Sequence, residues 1–194
     1  MTLERADGTK SVVTPWFPVA LRLRGRRCLV VGTGDEANGR VRALAEAGAE
    51  VVSVALFNPS DLEGVWLAVL ADRDGEAADR MARECETRRI FFCAVDDPRV
   101  GSYSHLALAR AGNVVVAIGT NGEAPALARR LRELFQELFE RAGLARFAER
   151  HAELRRSTRS EDRRAVLGAH VEGVRVAGEL VLPHDDAPHR DDDE

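Results

Sequence analysis

From Cys28 onward the chain alternates between short unbroken apolar runs and longer stretches with apolar residues every third or fourth position. Cys28-Leu29-Val30-Val31 is such a run, the pattern of a strand buried on both faces, and it stops at Gly32-Thr33-Gly34. From Glu36 the period lengthens: Ala37, Val41, Leu44 and Ala45 share a helical face, and Gly48 is placed to end that helix. Val51 to Leu56 predicts a second strand, so strand, glycine turn, helix and strand form a βαβ unit, which requires parallel pairing. Val65–Leu70 predicts a third strand, 75–88 a helix, Ile90–Val95 a fourth strand ending in Asp96-Asp97-Pro98, and Val114–Ile118 a fifth, closed by Gly119-Thr120-Asn121-Gly122. Residues 102–111 read as helical or irregular. This alternation predicts an α/β fold, a Rossmann-type doubly wound parallel sheet.

Outside the alternation the pattern is plainer. Residues 1–14 read as a loose leader, and Trp16, Phe17, Val19 and Leu21 as an apolar lead-in broken by Pro15 and Pro18. Pro125 fits the first turn of a helix, where its missing N–H costs nothing, and that helix is expected to run to about Arg141. Gly143 breaks it, 144–156 resume a charged helical pattern, and 165–182 hold a short helix or a hairpin. The last dozen residues are acidic and proline-containing, the composition of a disordered tail. The expected domains are therefore a sheet domain over 15–123, a helical region over 124–182 and a tail over 183–194.

Composition narrows the classes. With 194 residues, 45 % of them hydrophobic, a core can form without disulfide or metal staples. No apolar run is long enough to cross a bilayer, which argues against a membrane partner, and the polar N-terminus lacks a secretory pattern, so the cytoplasm is the expected compartment. Cys28, Cys85 and Cys93 are odd in number, match no common zinc or disulfide spacing, and read as reduced, buried side chains. Net charge is −4, with Lys10 the only lysine, an arginine cluster at Arg129, Arg130 and Arg132, and an acidic end at Asp191, Asp192, Asp193 and Glu194. Aromatics are only 5 % and do not interleave with a basic patch, which argues against nucleic acid as a partner.

The chemistry is expected at two places. Gly32, Thr33, Gly34, Asp35, Glu36 and Ala37 follow a strand and open a helix: the first glycine permits a tight turn, the second lets backbone approach a pyrophosphate, and Ala37 is an allowed third small residue. The alternative is a plain αβ loop. A ribose-binding carboxylate is missing from the end of the second strand (Ser53 to Leu56, with Asn58 after it), and no arginine there offers a 2′-phosphate pocket; NAD is the expected cofactor, rather than NADP. The second place is Asp96-Asp97-Pro98, whose plain reading is a solvated turn.

Over roughly residues 15–150 the chain resembles the precorrin-2 dehydrogenase and sirohydrochlorin ferrochelatase family, which includes the N-terminal part of siroheme synthases. The resemblance rests on Phe17-Pro18 ahead of Leu23-Arg24-Gly25-Arg26, the Val31–Asp35 turn, Leu44–Ala49, Val95–Pro98 and Ala124–Arg132, all in order. It implies oxidation of precorrin-2, a tetrapyrrole substrate, to sirohydrochlorin with NAD, in some members followed by insertion of ferrous iron. It implies a homodimer through the helices from Pro125 to Arg156. It makes Asp96 the catalytic residue and Asp97 the turn residue. It also implies that Thr120, Asn121, Gly122 and Arg129 hold the substrate's carboxylates, with Arg130 and Arg132 as further candidates and Glu123 as an opposing charge. His105 is expected on a helix, partly buried or at the surface, more than as a metal or proton-shuttle residue, and His184 and His189 in a disordered solubilising tail more than as metal ligands.

The chain also departs from the family. Only Phe57 to Gly64 fill the space where another helix and strand are usual, so one sheet strand is expected to be missing beside the cofactor's adenosine half. Cys93 stands where asparagine is common, Ser104 to Leu106 replace a more apolar stretch, and the part after Arg156 is short. These departures keep open a relative that binds NAD or a tetrapyrrole without turnover. An unrelated small-substrate dehydrogenase finds no support, since Tyr103 has no lysine nearby.

Overall fold

The computed structural model describes residues 2–4, 10–12, 16–97, 99–178 and 180–182; Pro98 and the expected tail, with His184 and His189, lie outside the described residues. The leader forms two short strands, β1 (Thr2–Glu4) and β2 (Lys10–Val12), paired antiparallel over three residues each. Segments this short show no alternation in sequence, which is why they read as a loose leader.

The sheet that follows is parallel: β3 (Arg27–Val31), β4 (Glu50–Val54), β5 (Leu67–Leu70) and β6 (Phe91–Ala94) lie in the order β4-β3-β5-β6. Cys28 pairs with Val51 on one side and Leu67 on the other, and Leu67 in turn with Phe91. Because side chains alternate across a strand, Cys28, Val30, Leu67 and Val69 face one way, where α1 (Gly34–Glu46) covers them with Ala37 and Leu44. Leu29, Val31, Ala68, Leu70 and Phe92 face the other way, under Ala78, Met81 and Cys85 of α2 (Gly75–Arg88). Burial on both faces is why β3 and β5 are unbroken apolar runs. Asp74 starts α2 by accepting the Glu76 and Ala77 N–H groups at 3.1 and 3.0 Å.

The sheet has four strands, one fewer than the five predicted, and among the described residues no extra strand stands between β4 and β5, as the short 57–64 segment implies. The link from β4 to β5 carries only a 3-10 turn, Pro59–Leu62, capped by Asn58, and Leu62 fills the α2-side core in place of a crossover helix. β4 is thereby the sheet edge.

Residues 102–111 are neither helical nor irregular throughout, and Val114–Ile118 is not a fifth strand of the parallel sheet. β7 (Ala107–Ala111) and β8 (Val114–Ile118) instead form a separate two-stranded sheet. The physical reason is the link: Gly112-Asn113, with Gly112 at φ +59°, is a two-residue turn, which only antiparallel neighbours can share. Alanine-rich β7 has a helical composition but pairs because its partner follows at once.

The C-terminal helices are α3 (Pro125–Ala142), α4 (Leu144–Ser157) and α5 (Arg163–Val171), with Gly143 at φ +62° between the first two. The chain divides into two compact units, Met1–Arg110 with Val115–Leu138, and Ala111–Val114 with Phe139–Glu194; the boundary falls within α3. In the second unit Phe147 of α4 stacks on His170 of α5 at 4.8 Å, and His170 lies 3.0 Å from His151, Nδ1 to Nδ1. Among the described residues no helix is long and apolar enough to cross a membrane.

Candidate functional site

A parallel sheet collects its chemistry outside the carboxyl ends of its strands. In the first unit that edge carries Gly32 after β3, Asp72 after β5 and Asp96 after β6.

The glycine turn is built as its sequence predicts. The Gly32 N–H extends the ladder to the Val54 carbonyl at 2.9 Å, and its φ of +126° is a conformation other residues avoid. A Cβ at Gly32 would lie 2.7 Å from Asp72 Oδ1 and 3.0 Å from the Asp72 backbone nitrogen. At Gly34, φ +77°, a Cβ would meet nothing within 4 Å, so the helix start is open to a ligand. Thr33 precedes α1 without a side-chain cap, and its N–H instead donates to Asp72 Oδ1 at 3.1 Å. Ala37 is buried against the sheet, where a small residue lets helix and strand approach. Asp35 and Glu36 are exposed in the first turn, and Glu36 accepts from Arg40 Nε at 2.8 Å.

The second neighbourhood is a cavity of about 400 Å³ in the same unit. It brings together Asp96 with Thr120, Asn121 and Gly122, and adds Arg40, Tyr103 and His105, none of which was expected there. Thr120 Oγ1 accepts the Ala124 N–H at 3.3 Å, and its carbonyl accepts the Glu123 N–H at 3.0 Å; Asn121 and Gly122 take φ of 53° and 83°. The loop thus folds back to start α3. Arg129 is exposed on α3 and is not among the cavity's lining residues, while Arg130 and Arg132 both pair with Glu133.

Asp96 also has positive φ, +62°, and its Oδ2 accepts both Arg73 Nε at 2.9 Å and Arg73 Nη2 at 2.5 Å. Both side chains are largely exposed, so the pair contributes at most about 1 kcal/mol and can yield to a ligand. Asp97 is occupied within its own turn by Arg99, whose guanidinium holds the Asp97 carboxyl below the usual carboxylate range. A second cavity, of about 510 Å³, shares the Ala94–Asp97 wall and reaches Asp72, Arg73 and Asp74. Asp96 therefore stands between the cavity of the 119–122 loop and the space leading to the residue that touches the glycine turn.

His105 is not on a helix: it lies in the irregular segment just before β7, on the cavity wall. Its ring is accessible through the cavity yet hemmed in by protein mass, and desolvation, with Arg40 nearby, pushes its pKa down to about 4. The Tyr103 hydroxyl lies 3.4 Å from its Nε2, and burial raises the phenol's pKa. A histidine whose folded pKa lies below its unfolded value near 6.5 leaves the unfolded chain binding the extra proton at intermediate pH. Stability from this group is present above pH of about 6.5 and lost as pH falls toward about 4. Arg40, Tyr103, Cys93, Asp96 and Asp97 line the same cavity. Denaturant titrations across this window should show a shallower decline for His105→Gln than for the wild type; equal slopes would mean the ring titrates normally. The three cysteines are free and buried as expected, and desolvation raises each thiol, Cys85 to about 12, which favours the neutral thiol over the thiolate.

Arg73, Asp72 and Arg40 escaped the sequence reading. The first two follow a predicted strand directly, and the carboxyl-edge rule alone points to them; Arg40 is signalled only by its helical spacing from Glu36.

Residues 19–107 match the protein family described as "Putative NAD(P)-binding". The chain is 34 % identical over 143 residues to a siroheme synthase of Citrobacter koseri, covering 63 % of this chain and 31 % of that protein. It is 34 % identical over 155 residues to siroheme synthase 2 of Klebsiella pneumoniae, covering 68 % and 34 %. The chain thus spans about a third of the length of the curated relatives it matches. Among solved structures it is similar to SirC, precorrin-2 dehydrogenase, with a TM-score of 0.63 and 20 % identity over 79 % of this chain and 88 % of that one. That likeness carries the fold, a Rossmann-type α/β fold, while the sequence matches show a likeness to siroheme synthases over 143–155 residues and to the NAD(P)-binding family model over residues 19–107.

Proposed function

We propose that this chain is an NAD-dependent precorrin-2 dehydrogenase, oxidising precorrin-2 to sirohydrochlorin in siroheme synthesis. The observation that carries the reading is the placement of Asp96 on the wall shared by two cavities, one bounded by the 119–122 loop and one reaching toward the glycine turn.

The turn fits a dinucleotide. Gly34 leaves open space, α1 starts without a side-chain cap, and Ala37 is small enough for close packing, so Gly32, Thr33, Gly34, Asp35, Glu36 and Ala37 would hold the diphosphate through backbone N–H groups. When bound, NAD supplies the acceptor for the hydrogen that leaves precorrin-2 with its electron pair. The second hydrogen leaves as a proton, and Asp96 accepts it at Oδ1, since Arg73 holds Oδ2. Thr120, Asn121 and Gly122 bind substrate carboxylates through the turned loop, and Arg40 adds a positive charge on the same cavity. Arg129 serves as an outer carboxylate partner from α3. Neutral His105 and Tyr103 offer hydrogen bonds to the macrocycle. The same Asp96 carboxylate would take up pyrrole protons if ferrous iron enters as a second substrate. The protein works in the cytoplasm as a homodimer through the helices from Pro125 to Arg156, a contact favoured by the exposed Leu127 of α3.

A second reading, a relative that binds these ligands without turnover, is favoured by one observation: the sheet ends at β4, where the adenosine half would be supported. Anaerobic incubation with precorrin-2 and NAD separates the two. Sirohydrochlorin and NADH forming in equal amounts is the expected result; binding of both ligands with neither product would establish the non-catalytic relative.

A further inference from the structure

An anion already seated on the glycine turn belongs to the protein itself. Asp72 Oδ1 accepts the Thr33 N–H at 3.1 Å, at the start of α1, where Thr33 offers no cap of its own. The same oxygen lies 2.7 Å from where a Gly32 Cβ would be, so the carboxylate is pressed against the turn rather than beside it. A helix N-terminus with open N–H groups attracts an anion, and here it holds a side chain in the place a diphosphate would use. Both cannot take the same donor, and their like charges repel.

We propose that Asp72 is a latch on the cofactor turn, an internal stand-in for the diphosphate that a dinucleotide must displace. The inference rests on the reading of Gly32–Gly34 as a dinucleotide site. The displaced carboxylate has somewhere to go: Asp72 lines the 510 Å³ cavity together with Arg73 and Arg99, which pair with Asp96 and Asp97 through Nε and Nη2 and can receive it on their Nη1 groups. With the latch closed, the turn keeps its shape and its donors are satisfied without ligand; opening it is a cost that weakens dinucleotide binding. The latch therefore sets affinity for the diphosphate and leaves recognition of the adenine end untouched.

The test is calorimetric titration of the full chain with NAD, with ADP-ribose, which keeps the diphosphate, and with adenosine, which lacks it. Asp72→Asn keeps the size of the side chain, and Asp72→Ala removes it. Both variants are expected to bind NAD and ADP-ribose about tenfold more tightly than the wild type, a change of 1.4 kcal/mol, with adenosine binding unchanged. Raising the salt concentration should narrow the difference, because screening weakens the repulsion. Unchanged or weaker binding of ADP-ribose by both variants, with a wild type that does bind, would overturn the latch and make Asp72 a brace for the turn. If wild type and variants alike bind neither NAD nor ADP-ribose, the cofactor reading itself fails and the latch with it.

Discussion

Asp96→Asn is expected to lower the turnover of precorrin-2 by about 10²–10⁴-fold, the usual contribution of a positioned acid–base group, while NAD binding stays as in the wild type. Asparagine is the informative replacement. Asp96 sits at φ +62°, a conformation that Asn and Asp tolerate and that alanine does not, so Asn removes the proton acceptor without adding backbone strain. Its amide oxygen can also still accept from Arg73, which keeps the loop where it is. Steady-state kinetics should place the loss in kcat, with KM changing little, because a group acting on the departing proton matters most in the transition state. Undiminished kcat in Asp96→Asn would move the proton to another acceptor on the cavity, with His105 the nearest candidate by chemistry.

Gly32→Ala is expected to abolish dinucleotide binding and to lower stability by about 2 kcal/mol, a melting point lower by about 4–8 °C. Two costs add. The backbone at φ +126° is strained for any L side chain, and the new Cβ would meet the Asp72 carboxylate at 2.7 Å and its backbone nitrogen at 3.0 Å. Gly34→Ala carries the first cost alone, since its Cβ would point into open space, so its thermal melt should fall by clearly less. Combining Gly32→Ala with Asp72→Ala should recover part of the loss, because the carboxylate is gone while the backbone contact stays. Equal melting points for the Gly32 and Gly34 variants would mean that the close approach to Asp72 carries no energetic weight.

Most of the sheet domain was legible in the sequence, for a physical reason. Strands such as Cys28–Val31 and Leu67–Leu70 are buried on both faces and must be apolar throughout, so each announces itself without a partner. The hairpin of β7 and β8 was missed because alanine-rich Ala107–Ala111 carries no strand signal of its own; the clue was the two-residue Gly112-Asn113 link, which forbids a parallel continuation. At the site, the glycine turn, Asp96 and the 119–122 loop were marked by local chemistry, turn residues next to strand ends. Arg40, Asp72 and Arg73 were not, because their place depends on which strands lie side by side: Asp72 reaches the turn only because β5 pairs with β3. Arg129, marked by its charge in a cluster, lies exposed on α3 outside the cavity lining, where only an outer contact with a ligand is open to it.

A crystal structure of the chain with NAD and sirohydrochlorin bound tests most directly whether Asp96 stands between the dinucleotide and the tetrapyrrole. The expected result is a diphosphate on the Gly32–Gly34 turn with Asp72 swung away, and a macrocycle in the cavity of Asp96, His105 and the 119–122 loop. A macrocycle bound elsewhere, or a dinucleotide that leaves the glycine turn untouched, would contradict it.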